Sequence, residues 1–329
     1  MLLTYTRTGN TFQSTPLQIP ASIPENALWI DMLQPTADED RFLESKLNIE
    51  IPTREDMRDI EPSSRLYTEG GNCFMTASML VGSDTPNPTI SPVTFILTPT
   101  ILATVRYGEP SAFNRFSGRL LRQPNNLDKA EDLFFHLMDV VVDRLAEVLE
   151  TNGHNLDTLS NDVFANRPDN NGDSMMNPNT NDMQQVLKRL GVIGNLVSMA
   201  RESLVSIARL LSFVGPAAEL WLKGESQSHI KTLIRDVRFL TEHADAINNK
   251  INFLLDATLG LIDLQQTNTM KVLSVASVVL LPPTLIASVF GMNFTHIPGL
   301  QSPSGFTIAM ILIVLAGILP YLLFYRKKL

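Results

Sequence analysis

Two long stretches near the C-terminal end carry no charge, and they restrict the fold more than any other feature of the chain. Residues 272–290 are nineteen in a row without Asp, Glu, Lys or Arg. Residues 306–325 are twenty more, followed by Arg326, Lys327 and Lys328. At about 1.5 Å per residue, either stretch crosses a hydrocarbon core roughly 30 Å thick as a helix. The fifteen residues between them, 291–305, hold no Asp, Glu, Lys or Arg either. The pattern predicts a helical hairpin through a membrane, attached to a larger body that precedes it.

Charge is distributed as unevenly as hydrophobicity. Of 26 Lys and Arg residues four lie after residue 270, and of 34 Asp and Glu residues none does. The first 270 residues thus hold 22 basic and 34 acidic groups, a net of −12. A body of that sign does not suit nucleic acid, whose phosphates require a basic face, and it attracts cations. Lys271 precedes the first span, the three basic residues follow the second, and the connecting loop has none. The positive-inside bias then puts both ends in the cytoplasm and the loop outside. Residues 1–19 lack the apolar core of a signal peptide. A single cysteine, Cys73, allows neither an internal disulfide nor a Cys-rich zinc site.

The preceding body reads as α+β. Ala27 to Asp31 has the character of a short buried strand, and Thr36 caps a helix with an acidic first turn that runs to Leu47. Residues 73–81, 94–97 and 101–106 lean to strand. Mixing of strands and helices over residues 1–125 predicts a layered α/β domain. Residues 126–227 read as an antiparallel helical hairpin, broken at 167–182 by Asn, Asp, Pro and Gly. Asp169, Asn171 and Asp173 resemble the start of a calcium loop, but Ser174 and Thr180 stand where Gly and Glu are required, so a solvated turn is expected. The hairpin's second helix is expected to close at Gly215-Pro216.

The longest element follows. Ile230, Leu233, Val237, Leu240, Ala244, Ile247, Ile251, Leu254, Thr258 and Leu261 alternate by three and four, a heptad seam. With no proline before Pro282, one stalk helix over residues 228–293 is predicted, about 100 Å long, running into a membrane span at about 272–292. Residues 294–305 form the external loop, 306–325 the second span and 326–329 a basic tail. The seam implies packing on the chain's own domain or self-association. Within the first span Met270, Leu273, Ser277, Leu281, Thr284 and Ser288 share one face. Their mixture of apolar rings and hydroxyls suits a pore wall with hydrophobic constrictions. It also suits a lipid-facing anchor whose hydroxyls bond their own helix carbonyls. Two spans enclose no path unless several copies assemble.

Gly291-Met292-Asn293, at the outer end of the first of two C-terminal spans, resembles the signature of the CorA family of magnesium and divalent-cation transporters. The likeness extends to Met270-Lys271-Val272-Leu273, Pro282-Pro283-Thr284, Phe290, Phe294, Ile297-Pro298 and Tyr325-Arg326-Lys327-Lys328. Ala27 to Asp31 and Asp59-Ile60-Glu61 look like pieces of the family's cytosolic domain. The resemblance implies a funnel-shaped homopentamer in the inner (plasma) membrane: an N-terminal α/β/α cytosolic domain, a long helical stalk and two transmembrane helices per chain. It implies a selectivity filter of Gly291, Met292 and Asn293, with Asn293 meeting Mg²⁺ through the ion's hydration shell. A neutral amide ring suits an ion that gives up water reluctantly. It further implies influx of Mg²⁺, with Co²⁺ and Ni²⁺ as further cargo, and closure by intracellular Mg²⁺ near Asp236. No cofactor and no catalytic residue is implied, and the chain has no phosphate-binding loop or His-Glu-x-x-His motif.

One departure stands out. The family's loop usually reads Met-Pro-Glu-Leu, and this chain has Ile297-Pro298-Gly299-Leu300. An entrance ring of carboxylates is thus missing at Gly299, while His296 offers an imidazole that suits Zn²⁺. Two alternatives follow: a ZntB-like zinc transporter, and a membrane-anchored sensor or scaffold that conducts nothing.

Overall fold

The computed structural model describes residues 1–329 apart from 21, 60, 123–126, 165–179, 219–223, 293–303 and 327–329. Its described chain separates into two compact units, one formed by Met1–Ala165 with Val186–Leu255, the other by Asn166–Gln185 with Asp256–Leu329. The strands are β1 (Leu2–Thr8), β2 (Thr11–Pro16), β3 (Ala27–Leu33), β4 (Leu66–Glu69), β5 (Asn72–Val81), β6 (Thr89–Leu97) and β7 (Leu102–Arg106). The helices are α1 (Ala37–Leu47), α2 (Pro62–Arg65), α3 (Ser111–Arg122), α4 (Ala130–Phe164), α5 (Thr180–Ala217), α6 (Glu225–Phe290) and α7 (Gly305–Arg326).

In the first unit the seven strands form one sheet in the order β2-β1-β3-β7-β6-β5-β4. All neighbours are antiparallel except β3 and β7, which run parallel with Trp29 opposite Leu102. Alternation along β3 sorts its side chains between two apolar layers. Ile30 and Met32 join Leu43 of α1, Met57, Phe74, Ile96 and Val105 on one face. Trp29 points to the other, where its ring lies 5.5 Å from Phe116 and 6.3 Å from Phe113 of α3. Phe95 meets Phe134 of α4 edge-on at 5.6 Å on that face. The sheet is therefore covered on both sides, as an α/β/α domain requires.

Thr36 caps α1 through a capping box: its hydroxyl accepts from the Glu39 N–H, and the Glu39 carboxylate accepts from the Thr36 N–H. On the Trp29 face, buried Asp31 accepts two bonds from Arg106 Nε at 3.0 and 3.2 Å and one from its terminal nitrogen at 2.8 Å. Thr104 donates to the same carboxylate at 2.7 Å and accepts from Trp29 Nε1 at 3.0 Å.

The helices α4, α5 and α6 pack side by side. Asp139 pairs with His229 and Asp157 with Lys250, so α4 and the start of α6 run parallel. Arg201 pairs with Asp245, while a Cβ on Gly194 would lie 3.7 Å from Ile251, so α5 runs antiparallel to α6. The helical hairpin expected before the stalk is present. Its second helix does not stop at Gly215-Pro216 but continues to Ala217, because a proline removes one backbone bond and the final turn has few left to lose. The seam on α6 is buried at Ile230, Leu233, Val237, Ala244, Ile247, Ile251, Leu254 and Thr258. Leu240 and Leu261 are only half-buried, and beyond them Leu264 and Met270 are exposed.

Parts of the sequence reading need adjustment. β1, β2 and β4 went unannounced, as did α3. The stalk helix begins at Glu225 rather than 228 and ends at Phe290, with Gly291 and Met292 already in a turn. The calcium-like residues Asp169, Asn171 and Asp173 lie outside the described residues.

Candidate functional site

Among the described residues, three helices are apolar and long enough to cross a membrane: Met183–Ala217, Ser226–Phe290 and Gly305–Leu323. Burial separates them. The most apolar stretch of the first is 39% buried in the chain's own core, against 0% and 6% for the other two. Thus α5 packs part of its apolar face within the first unit, against α6, whereas the C-terminal part of α6 and most of α7 present theirs outward. Those two helical stretches coincide with the two charge-free stretches of the sequence.

In the second unit α7 covers one face of α6. A Cβ on Gly317 would sit 3.4 Å from the Pro283 ring and 3.9 Å from the Val279 carbonyl oxygen. Around this contact Val275, Val279, Pro282, Pro283, Ile286 and Phe290 are half-buried on α6. On α7 Ala309 is buried, and Ile313, Ala316, Gly317 and Pro320 are half-buried. Small residues let helices approach closely in an apolar medium. The approach falls where Pro282 and Pro283 leave the Val278 and Val279 carbonyls without their helical N–H partners.

Met270, Leu273, Ser277, Leu281, Thr284 and Ser288 are all exposed. At about 100° per residue they lie roughly 180° from the face that α7 covers. The chain brings all six candidates to one side of α6, and that side is exposed among the described residues. Ser277 donates to the Leu273 carbonyl at 2.8 Å, and Thr284 donates to Leu280 at 3.0 Å and Leu281 at 2.8 Å. The Ser277 and Thr284 hydroxyls are therefore satisfied within the helix, as expected of an anchor, while the face remains open, as required of a pore wall.

At the outer end Gly291 donates to the Ala287 carbonyl at 3.0 Å and Met292 to Val289 at 3.3 Å. A Cβ at Gly291 would meet the Ala287 oxygen at 3.2 Å, closer than ordinary contact. Asn293, Phe294, His296, the Ile297-Pro298 pair and Gly299 lie outside the described residues, as do Lys327 and Lys328.

Asp236 is exposed on α6, 3.8 Å from Arg235. Its charge reaches Asp143 of α4, whose carboxyl is pushed up first by desolvation and then by Asp139, Glu147 and Asp236. Sequence reasoning had named Asp236 alone and missed this grouping. It also missed the packing face of α7, whose only signal was the small residues at Ala309, Ala316 and Gly317.

Residues 24–327 match the family model described as CorA-like Mg2+ transporter protein. The chain belongs to that family. It is 31% identical over 315 residues to the magnesium transport protein CorA of Escherichia coli K12, covering 95% of this chain and 96% of that one. To the protein of the same name from Salmonella typhimurium it is 30% identical over 303 residues, 92% of each chain. Among solved structures, the complete CorA magnesium transporter of Methanocaldococcus jannaschii superposes with a TM-score of 0.72 at 16% identity, covering 99% and 98% of the two chains. The full-length CmaX protein gives 0.62 at 17% identity, covering 100% and 98%. Family members are ion transporters, and the N-terminal α/β domain, long helix and C-terminal apolar helices of this chain share their fold.

Proposed function

We propose that this protein carries Mg²⁺ into the cell down its electrochemical gradient, as a homopentamer in the inner membrane with both termini in the cytoplasm. The observation that supports it most directly is the open face of α6. Met270, Leu273, Ser277, Leu281, Thr284 and Ser288 oppose the face covered by α7. Several copies that turn this side inward enclose a path, with the second spans outside. Exposed Phe239, Phe253, Leu255, Leu259 and Leu264 on the same helix suit self-association further down. The count of five comes from the resemblance.

In this reading Asn293, with Gly291 and Met292, forms the outer filter and hydrogen-bonds the hydrated ion. No ATP is needed, since a divalent ion gains roughly 4.6 kcal/mol per 100 mV. Co²⁺ and Ni²⁺ are further cargo. Intracellular Mg²⁺ held at Asp236 between subunits relieves acidic repulsion and closes the path.

Flux of Mg²⁺, Co²⁺, Ni²⁺ and Zn²⁺ into liposomes holding the purified protein tests the reading. Asn293→Ala should lose most Mg²⁺ influx while assembling normally. Parental flux in that variant removes the filter assignment. Zn²⁺ flux well above Mg²⁺ moves the reading to zinc transport, and no flux of any ion leaves an anchored scaffold.

A further inference from the structure

We propose that His136, Asp139 and His229 form a binding site for a first-row transition ion of the Zn²⁺, Co²⁺ and Ni²⁺ class, tying α4 to the first turns of α6. All three residues belong to the first unit, none of them is among the candidate pore or filter residues, and the site rests on no part of the transport reading.

Helical spacing supplies the first two ligands. His136 and Asp139 are three residues apart on α4 and so share a face. His229 approaches from α6, which begins at Glu225. Its Nε2 lies 3.0 and 2.9 Å from the two oxygens of Asp139. The ligand atoms of all three side chains fall within 4.8 Å of one another. Ligands about 2.0–2.1 Å from a tetrahedral Zn²⁺ are roughly 3.3 Å apart, so closure asks for shifts of about an ångström. His136 is exposed, which leaves room for a shift of that size.

The second nitrogen of His136 favours this use. Nδ1 lies 2.8 Å from the Asp132 carbonyl oxygen. A carbonyl accepts only, so Nδ1 carries the proton and Nε2 presents its lone pair. Tying the non-ligating nitrogen to a carbonyl is how metal-bound imidazoles are oriented. The His229 ring is steadied by buried Phe135, with centroids 5.7 Å apart, and stands perpendicular to His136 at 5.5 Å. An ordinary His–Asp ion pair accounts for His229 and Asp139 but gives the orientation of His136 no part.

The donor set selects the ion. Two imidazole nitrogens and one carboxylate suit Zn²⁺, Co²⁺ and Ni²⁺, whereas Mg²⁺ demands oxygen ligands in an octahedron. Three protein ligands leave a fourth position for water. Asp143 and Asp236 stand close enough to interact electrostatically, and with Asp139 they add negative potential that draws in a cation.

Calorimetric titration of the full-length protein in detergent with Zn²⁺, in the presence of excess Mg²⁺, provides the test. The tightest Zn²⁺ should bind at one per chain. Losing even an outer-shell partner of a metal site weakens binding about 10–100-fold, so His136→Gln and His229→Gln should each lose at least that much. His154→Gln and His243→Gln should leave the affinity unchanged. Co²⁺ bound to the parent should show the visible absorption of a four-coordinate site, and His136→Gln should abolish it. Elution and circular dichroism like the parent's establish that a variant is folded. Because His136 is exposed, His136→Gln keeps the test available should His229→Gln unfold. Parental Zn²⁺ affinity in folded His136→Gln overturns the proposal, as does displacement of Zn²⁺ by an equal concentration of Mg²⁺.

Discussion

Asp31 and Arg106 show how one buried pair holds the α/β domain. Both side chains are nearly inaccessible, at 2% and 5% exposure, so their charges depend on each other rather than on water. Thr104 and Trp29 extend the network, and the Arg106 guanidinium lies 4.9 Å from the centroid of the Phe113 ring. Arg106→Met leaves a buried carboxylate with a hydroxyl for company and should cost about 3–5 kcal/mol. Denaturant unfolding followed through Trp29 checks this. Glu147 lies at the opposite extreme. It is exposed and accepts bonds from Arg144 at 2.8 Å and Arg115 at 2.7 and 2.8 Å, linking α4 to α3. The Arg144 and then the Arg115 hydrogen bonds hold its carboxyl below the ordinary glutamate value. A depressed carboxylate contributes stability above its unfolded value, about 4.3, and loses it as pH falls through the folded value. Glu147→Gln should therefore lower stability at pH 7, by less than about 1 kcal/mol for so exposed a network. The difference should vanish in acid, which melting curves from pH 7 to 3 would show.

Among the elements, α6 carries two assignments on one continuous helix of 66 residues. Its first part is held by α4 and α5 through the buried seam, and its last part by α7 through Gly317. The stretch around Leu264 and Met270 has an exposed surface. If intracellular Mg²⁺ bridges copies near Asp236, it immobilises the helix that leads to the membrane face. High Mg²⁺ should slow proteolysis of this helix and lower flux, and Asp236→Ala should weaken that protection. Identical digestion with and without Mg²⁺ in the parent protein would rule out feedback by the transported ion.

For the whole molecule, one chain joins two exposed apolar helical stretches to 270 residues of net charge −12. Charge-poor helices in lipid and a charged domain in water divide the chain between two solvents. Lipid can cover the outer face of α7, while the opposite side of α6 is exposed and open to further copies. With the count of five that the resemblance implies, native mass measurement in mild detergent should give a pentamer. A monomer would remove the pore along with the count.

Local patterns were legible without tertiary contacts. Missing charge over 272–290 and 306–325 marked the two spans, since lipid tolerates no unpaired charge. The three-four spacing from Ile230 to Thr258 marked the buried side of α6, and Thr36 with Glu39 marked the start of α1. These signals lie within a few turns of chain. By contrast β1, read as LLTYTRT, buries Thr4 as well as Tyr5, so it offers no clean alternation. In α3, Phe113, Phe116 and Leu120 keep three-four spacing, but only the fold shows that Trp29 and Phe95 face them. Sequence spacing gathered Ser277, Leu281, Thr284 and Ser288 on one side, but Gly317 decided that α7 takes the other. Likewise His136 and Asp139 share a face by spacing alone, and only folding brings up His229, 90 residues beyond Asp139. Periodicity records which side of an element avoids water, because burial acts on every turn. It does not record what covers that side, because the partner is chosen by shape across distant parts of the chain.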